Sequence, residues 1–237
     1  MSDLKVSRWI GACGLATVVL WLSQFPLYMV GNPPSVYDGL ATSRHLSAIS
    51  TIAFTRILLD QGVYVSMMVF AAGFRHLIRQ TRQDYEWIGT LLFGTAIVWL
   101  AVTLVADGLA GGAVLDAISS QPDASAVRAL ILGTLLIYNS STAFVMTAMF
   151  LAVAGFATLG TRILPAWTGW LAFVGSALCL ACVPAMYGGP VDYAGFYNAG
   201  SFGPALVANF PPAIWFTAVS ILLLRKCEPA SAISRGR

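Results

Sequence analysis

The chain has 237 residues, of which 58% are hydrophobic and only 10% are charged. An average soluble domain has about 25% charged residues, so this chain has too little charge to cover a surface that faces water. The net charge is only +3, and the basic residues form short clusters between apolar runs, which argues against a nucleic-acid partner. The composition therefore predicts an integral membrane protein whose surroundings are membrane lipids.

Six apolar stretches are long enough to cross a membrane, since about 20 helical residues at about 1.5 Å each span about 30 Å of hydrocarbon. In chain order the predicted spans are residues 9–30, 48–74, 87–109, 127–158, 166–187 and 204–224. We interpret the first as a retained helix, because it exceeds the usual apolar length of a signal peptide. The predicted fold class is all-α: a polytopic six-helix transmembrane bundle that forms one domain over residues 1–227, with a short disordered cytoplasmic tail over residues 228–237.

The orientation follows from the uneven distribution of Lys and Arg. Two basic residues, Arg44 and Arg128, fall on one side of the predicted spans. The ten on the other side are Lys5, Arg8, Arg75, Arg79, Arg82, Arg162, Arg225, Lys226, Arg235 and Arg237. The positive-inside rule therefore predicts that both termini are cytoplasmic.

Two charged residues lie deep within the second span. Arg56 and Asp60 are four residues apart on one helix face, and Tyr64 lies one further turn along. A central Arg or Asp costs about 2.5–3.5 kcal/mol on the insertion scale, so these charges need partners. Two interpretations stay open: a structural ion pair that holds helices together, and a site for a substrate, an ion or a proton.

Strongly polar groups in the other spans lie at the same depth or nearer the outer side. They are Asp107 in the third span, Tyr138 and Asn139 in the fourth, and Asn209 in the sixth. Charged side chains at this depth face the bundle interior or water, so the clustering predicts a cavity that opens outward. The alternatives are ordinary hydrogen bonds between helices and, for Asp107, a helix that simply ends in the headgroups.

Two features of the sixth span and the loop before it have structural consequences. Pro211 and Pro212 remove backbone donors, so we expect this helix to kink or break and to leave carbonyl groups that a polar partner must satisfy. The preceding loop, residues 187–204, holds five glycines and five aromatic residues. Because the rings favour burial, we expect this loop to pack over the outer mouth of the bundle or to dip into it.

We predict no cofactor and no metal site. No lysine lies in a predicted span, which excludes a retinal Schiff base. His45 and His76 flank the second span about 45 Å apart, so they cannot share one haem or metal ion. Walker A, GxSxG and HExxH motifs are absent from the sequence. The Cys179-Leu-Ala-Cys182 sequence is best interpreted as small apolar packing residues.

Three segments resemble those of a group of six-helix bacterial inner-membrane proteins. They are TRILPAWTGWLAFVGSAL at residues 161–178, FRHLIRQ after the second span, and SSQPDASAVRAL before the fourth. The resemblance covers most of the chain in topology. It implies the six-helix fold and the bacterial inner membrane as the location, and it assigns no activity and no catalytic residue.

The leading functional hypothesis is a membrane protein that binds or transports a small or lipid-like ligand in the outward-facing cavity. The predicted ligand-binding residues are Arg56, Asp60, Tyr64, Asp107, Tyr138, Asn139 and Asn209. In this hypothesis Arg56 holds an anionic or carbonyl group, and Asp60 balances its charge or carries a proton. One alternative is a membrane-embedded isomerase or cyclase that acts on a hydrophobic substrate, with Asp60 as general acid and aromatic walls. Another is a structural or accessory membrane subunit, and the sequence leaves the oligomeric state open.

Overall fold

The structure, a computed structural model, describes residues 3–28, 30–193 and 195–225. The helices in chain order are α1 (Asp3–Leu22), α2 (Phe25–Tyr28), α3 (Gly39–Ala48), α4 (Ser50–Thr81), α5 (Glu86–Ala117), α6 (Ala124–Tyr138), α7 (Ser141–Thr161), α8 (Ala166–Cys182) and α9 (Phe202–Arg225). Short 3-10 turns at Gln83–Tyr85 and Val183–Tyr187 precede α5 and follow α8. The predicted all-α class is confirmed, whereas the predicted tail lies outside the described residues.

Six helical stretches are long and apolar enough to cross a membrane, which confirms the predicted number of spans. They are Lys5–Tyr28, Ser50–Thr81, Gln83–Ala117, Ala124–Thr161, Ala166–Tyr187 and Phe202–Arg225. Helices of this length and composition bury their backbone polar groups in their own hydrogen bonds, as a hydrocarbon environment requires. They indicate a multi-pass membrane protein.

The long helices form a closed ring. In order around the ring, α1 contacts α4, α4 contacts α5, α5 contacts α7, α7 contacts α8, α8 contacts α9, and α9 returns to α1. Outside the ring, α6 packs against α5 and α3. Six crossings bring the start of α1 and the end of α9 to one end of the bundle, which we call the terminal end. The opposite end, with α3 and the segments 30–38, 118–123, 188–193 and 195–201, is the loop end.

Helix α5 is longer than the sequence predicts. It continues to Ala117, eight residues past the predicted end at Leu109. The glycines beyond Leu109 lie against neighbouring helices, with Gly111 facing Ile57 of α4 and Gly112 facing Leu130 of α6. Asp107 is consequently inside a helix and only 4% exposed, so the interpretation in which it ends its helix in the headgroups is wrong.

The fourth span is two helices rather than one. Helix α6 ends at Tyr138 and α7 begins at Ser141, which contradicts the single helix predicted for residues 127–158. Ser and Asn side chains compete with the helix for backbone groups. Here the Ser140 hydroxyl donates to the Leu136 carbonyl, while the Asn139 N–H donates to the Leu135 carbonyl over 2.8 Å. We call Asn139 and Ser140 the α6–α7 joint.

Of the kink or break expected at the two prolines, the break does not occur, because α9 is helical from Phe202 to Arg225 with both prolines inside it. Pro212 has no N–H to donate to the Ala208 carbonyl, four residues earlier. The Cys179 thiol lies 3.5 Å from this carbonyl and donates to it, as the expectation of a polar partner requires. Gly175 of α8 faces the Pro211 ring, where a Cβ would lie 3.1 Å from the Pro211 Cβ. Helix α8 therefore accommodates the prolines and supplies the missing donor.

An aromatic cluster fills the centre of the bundle toward the terminal end. Trp215 has no exposed surface and lies edge-on to Phe70, Phe74 and Phe150, at centroid distances of 5.9–6.1 Å. Phe216 stacks on Phe150 at 5.6 Å. The Trp215 indole N–H donates to the Thr168 carbonyl over 3.2 Å, so its polar atom is satisfied. This cluster packs α4, α7 and α9 together and closes the bundle interior on that side.

Glycine allows α1 to approach α4 and α9 closely, and replacing it is expected to destabilise the bundle. A Cβ on Gly14 would overlap the Ser220 Oγ and would lie 2.9 Å from a ring carbon of Phe70. We expect Gly14→Ala to lower the free energy of unfolding by about 1–3 kcal/mol, measured by denaturation in detergent. Gly94→Ala is the matched control, because nothing lies within 4 Å of that Cβ and alanine favours a helix. Equal stability of the two variants would contradict this packing.

Candidate functional site

A cavity of about 80 Å³ lies inside the ring of helices, with walls from α1, α4, α5, α6, α7 and α9. An engineered cavity of about 150 Å³ accommodates benzene, and one water needs about 10–15 Å³ of such volume. The cavity is therefore large enough for several waters or for one molecule of a few heavy atoms. Phe216 of the aromatic cluster forms part of its wall.

The structure brings most of the predicted site residues to this cavity. Asp60, Tyr64, Tyr138 and Asn209 line it. Asp107 is behind the two tyrosines and bonded to both. The two remaining predicted residues, Arg56 and Asn139, are not among the lining residues.

Asp60 and Asp107 face each other across the interface of α4 and α5. Asp60 is ten residues from the first residue of α4, and Asp107 is ten residues from the last residue of α5. Both are thus about 15 Å from the loop end of their helices. Tyr64, one turn along α4 from Asp60, donates to Asp107, so the two carboxyl groups lie close enough to influence each other's ionisation. Two carboxyl groups this close favour a state in which one of them carries a proton.

Asp107 also closes a triangle with two tyrosine hydroxyls. The Tyr64 hydroxyl donates to Oδ2 of Asp107 over 2.7 Å, and the Tyr138 hydroxyl donates to Oδ1 over 2.6 Å. The two hydroxyl oxygens are themselves 2.9 Å apart. The two hydroxyl protons supply both bonds to Asp107, so the contact between the two hydroxyls has no proton of its own. These bonds fix Asp107 beside Tyr64, which is one turn along α4 from Asp60.

Asp60 has a neutral donor as its second partner. The side-chain amide of Gln24 donates to Oδ1 of Asp60 over 2.7 Å. Gln24 lies in the turn between α1 and α2 and is buried, so this bond connects the first span to the second. In the sequence Gln24 is only a polar residue at a similar depth, and nothing in its spacing indicates its partner.

Arg56 lies against Tyr28 and forms no ion pair with Asp60 among the described residues. Its guanidinium carbon lies 3.5 Å from the centroid of the Tyr28 ring, a cation–π contact. Between the described residues no ion pair joins Arg56 to Asp60, and the buried Nε of Arg56 has no hydrogen-bond partner there. The structural ion pair considered from the sequence is therefore not formed. Arg56 acts on both carboxyl groups through its charge at longer range.

The segment after α8 contacts the loop end of the bundle through hydrogen bonds, whereas the burial of its aromatic rings expected from the sequence is wrong, because all five rings are exposed. The Val191 N–H donates to the Tyr37 hydroxyl over 2.8 Å, and the Gly200 N–H donates to the Asn139 carbonyl over 3.3 Å. Asn139 is thus a backbone anchor for this segment at the α6–α7 joint. Partial burial raises the pKa of Tyr193 to about 12, and the positive charge of nearby Arg56 opposes this.

The aromatic part of the cavity wall has no signal in the sequence. The lining includes Trp21, Trp99, Phe144 and Phe216 in addition to the two tyrosines. Aromatic residues in an apolar helix are equally suited to face lipid or a neighbouring helix. Only the assembled ring shows that these four side chains converge with Asp60 on one space.

No protein-family model matches the chain, and no curated protein or solved structure matches it at a significant level. The site is consequently interpreted from its own geometry.

Proposed function

We propose that this protein binds or transports a small ligand in the cavity, and that the Asp60–Asp107 pair holds a proton that responds to the ligand. The observation that supports this is the position of Asp60, which lines the cavity one turn from Tyr64, the residue that donates to Asp107. An ionisable residue inside a membrane-spanning bundle is by default a candidate for substrate or proton handling. The cavity volume of about 80 Å³ favours a small solute over a lipid chain.

The proposal includes a location in the bacterial inner membrane with both termini in the cytoplasm. Supporting it are the basic residues at the terminal end, among them Arg75 and Arg79, which lie 3.9 and 3.5 Å from Glu86. The loop end carries Arg44 and Arg128. By the positive-inside rule the cavity then lies in the outer half of the bundle.

A panel of small solutes tests the binding function. The thermal midpoint of the full chain in detergent is measured with acetate, acetamide and ethylammonium, which have similar sizes and different charges. We expect at least one of them to raise the midpoint of the wild type, because a ligand at ten times its Kd stabilises the folded state by about 1.4 kcal/mol.

The variant Asp60→Asn should lose this shift. The matched control is Asp116→Asn, a carboxyl group on the same helix as Asp107 that accepts from the Asp123 N–H over 2.9 Å at the loop end. If no solute gives a shift that depends on Asp60, the proposed function is wrong.

A second candidate is the membrane-embedded isomerase or cyclase. The orientation of Arg56 favours it, because the guanidinium contacts Tyr28 and leaves Asp60 with the amide of Gln24 and a second carboxyl group. A proton held by this pair can act as a general acid against a substrate between aromatic walls. Conversion of a hydrophobic substrate by purified protein, lost in Asp60→Asn, would identify this activity. The accessory-subunit alternative predicts that neither assay responds to the variant.

A further inference from the structure

We propose that the ligand of the cavity is a small organic cation, such as a protonated amine, and that it binds in exchange for the proton of the Asp60–Asp107 pair. This inference rests on the proposed function and names the ligand class for the same site. The proposed charge of the ligand is opposite to the one expected from the sequence. In that expectation Arg56 faced the cavity and held an anionic or carbonyl group.

The charges of the residues that line the cavity determine whether it favours a cation or an anion. Asp60 is the one charged residue that lines the cavity within the described part of the chain. Arg56 is held against the Tyr28 ring and takes no part in the lining. A cationic ligand therefore meets a carboxyl group and no positive charge.

The aromatic wall favours an organic cation. Six rings surround the space: Trp21, Tyr64, Trp99, Tyr138, Phe144 and Phe216. The faces of aromatic rings attract ammonium groups, and cages of such rings are a known device for binding them. A hard cation such as Ca²⁺ instead takes about six to eight oxygen ligands, which one lining carboxyl group with a few hydroxyl groups does not provide.

The polar groups of the wall present acceptors. The hydroxyl of Thr17 donates to the Cys13 carbonyl over 2.9 Å, and that of Thr103 donates to the Trp99 carbonyl over 3.0 Å. The Asn209 amide nitrogen donates to the Ala205 carbonyl over 2.5 Å, which leaves the amide oxygen as an acceptor together with one N–H. Hydroxyl groups whose donors are already used, together with the Asn209 amide oxygen, are suited to a ligand that only donates, and an ammonium group is such a ligand.

The exchange keeps the site electrically balanced. The charged and titratable groups that face the carboxyl pair are Arg56, Tyr28, Tyr64 and Tyr138, with Tyr193 near Arg56 at the loop end. Among the described lining residues, α7 and α9 add no charged group. Without ligand, Arg56 balances one carboxylate while the second carboxyl group keeps a proton. When a cation enters, that proton leaves and both carboxylates are balanced.

Equilibrium dialysis of radiolabelled ethylammonium against the full chain in detergent tests the inference. We expect the wild type and Asp116→Asn to bind ethylammonium, and Asp60→Asn to bind it at least about tenfold more weakly. Asp60→Glu should recover part of the affinity, which separates loss of charge from misfolding. Trp21→Leu should weaken binding about two- to fivefold through loss of a ring face.

Competition separates the possible failures. Acetamide, acetate and sodium are added to bound ethylammonium, and we expect none of them to displace it at equal concentration. If acetate or acetamide binds with Asp60 dependence and ethylammonium does not, the ligand class is wrong and the proposed function stands. If sodium displaces ethylammonium at lower concentration, the site belongs to a metal ion and the inference is wrong. If no solute depends on Asp60, the proposed function fails as well.

Discussion

Replacing Asp107 by asparagine is expected to abolish the pH dependence of cation binding. In the wild type, one proton leaves for each cation that binds, so the affinity for ethylammonium rises about tenfold per pH unit while the pair still holds its proton. The side-chain amide in Asp107→Asn has no proton to release, and the remaining carboxylate of Asp60 is already balanced by Arg56. We expect this variant to bind the cation weakly and with an affinity that does not change with pH. Equilibrium dialysis at several pH values measures the slope of the logarithm of the ethylammonium affinity against pH.

The slope distinguishes a proton-holding residue from a structural one. A variant that merely loosened the triangle with Tyr64 and Tyr138 would shift the affinity at all pH values and keep the slope. Asp116→Asn, the same chemical change near the loop end of α5, should retain the wild-type slope. An unchanged slope in Asp107→Asn would show that the exchanged proton does not reside there.

Replacing Trp215 by alanine is expected to have the largest effect on stability. Trp215 contacts Phe70, Phe74 and Phe150 with no exposed surface, and its indole N–H donates to the Thr168 carbonyl. Removal of a buried tryptophan costs about 3–5 kcal/mol. For a chain of this length each kcal/mol corresponds to about 2–4 °C, so the thermal midpoint in detergent should fall by about 6–20 °C.

An exposed tryptophan provides the comparison. Trp170 on α8 is 61% exposed, so Trp170→Ala should change the free energy of unfolding by no more than about 0.5 kcal/mol. Trp215→Phe should give an intermediate loss, because it retains a ring and loses the hydrogen bond to α8. Similar midpoints for the alanine variants of Trp170 and Trp215 would contradict the role of the aromatic cluster in packing the bundle.

The sequence predicts the bundle because apolar length is a property of each segment alone. Six runs of about 20 apolar residues indicate six spans whatever their partners are. The errors lie where neighbouring helices decide the outcome. The glycine-rich run in α5 stays helical because α4 and α6 pack against it, and α9 continues past Pro211 and Pro212 because α8 supplies a cleft and a thiol donor.

For the candidate site, the sequence identifies the important carboxyl residues and does not identify their partners. The cost of charge in hydrocarbon draws attention to Asp60 and Asp107, and the structure brings these two residues together. The spacing of residues in the sequence does not indicate which side chains bond to each other. Arg56 and Asp60 share a helix face, yet Arg56 contacts Tyr28 and Asp60 accepts from Gln24, because both partners come from the turn and short helix after α1.

The α6–α7 joint has a mechanical consequence for the carboxyl pair. Tyr138 is the last residue of α6, and its hydroxyl bonds to Asp107 while its ring forms part of the cavity wall. The body of α6 packs on α5 and α3, whereas α7 belongs to the ring with α8. Any bending between α6 and α7 must therefore move the aromatic ring and the hydroxyl of Tyr138. Tyr138 borders the joint, lines the cavity and bonds to Asp107, so the shape of the cavity and the hydrogen bonding of Asp107 are coupled through one residue.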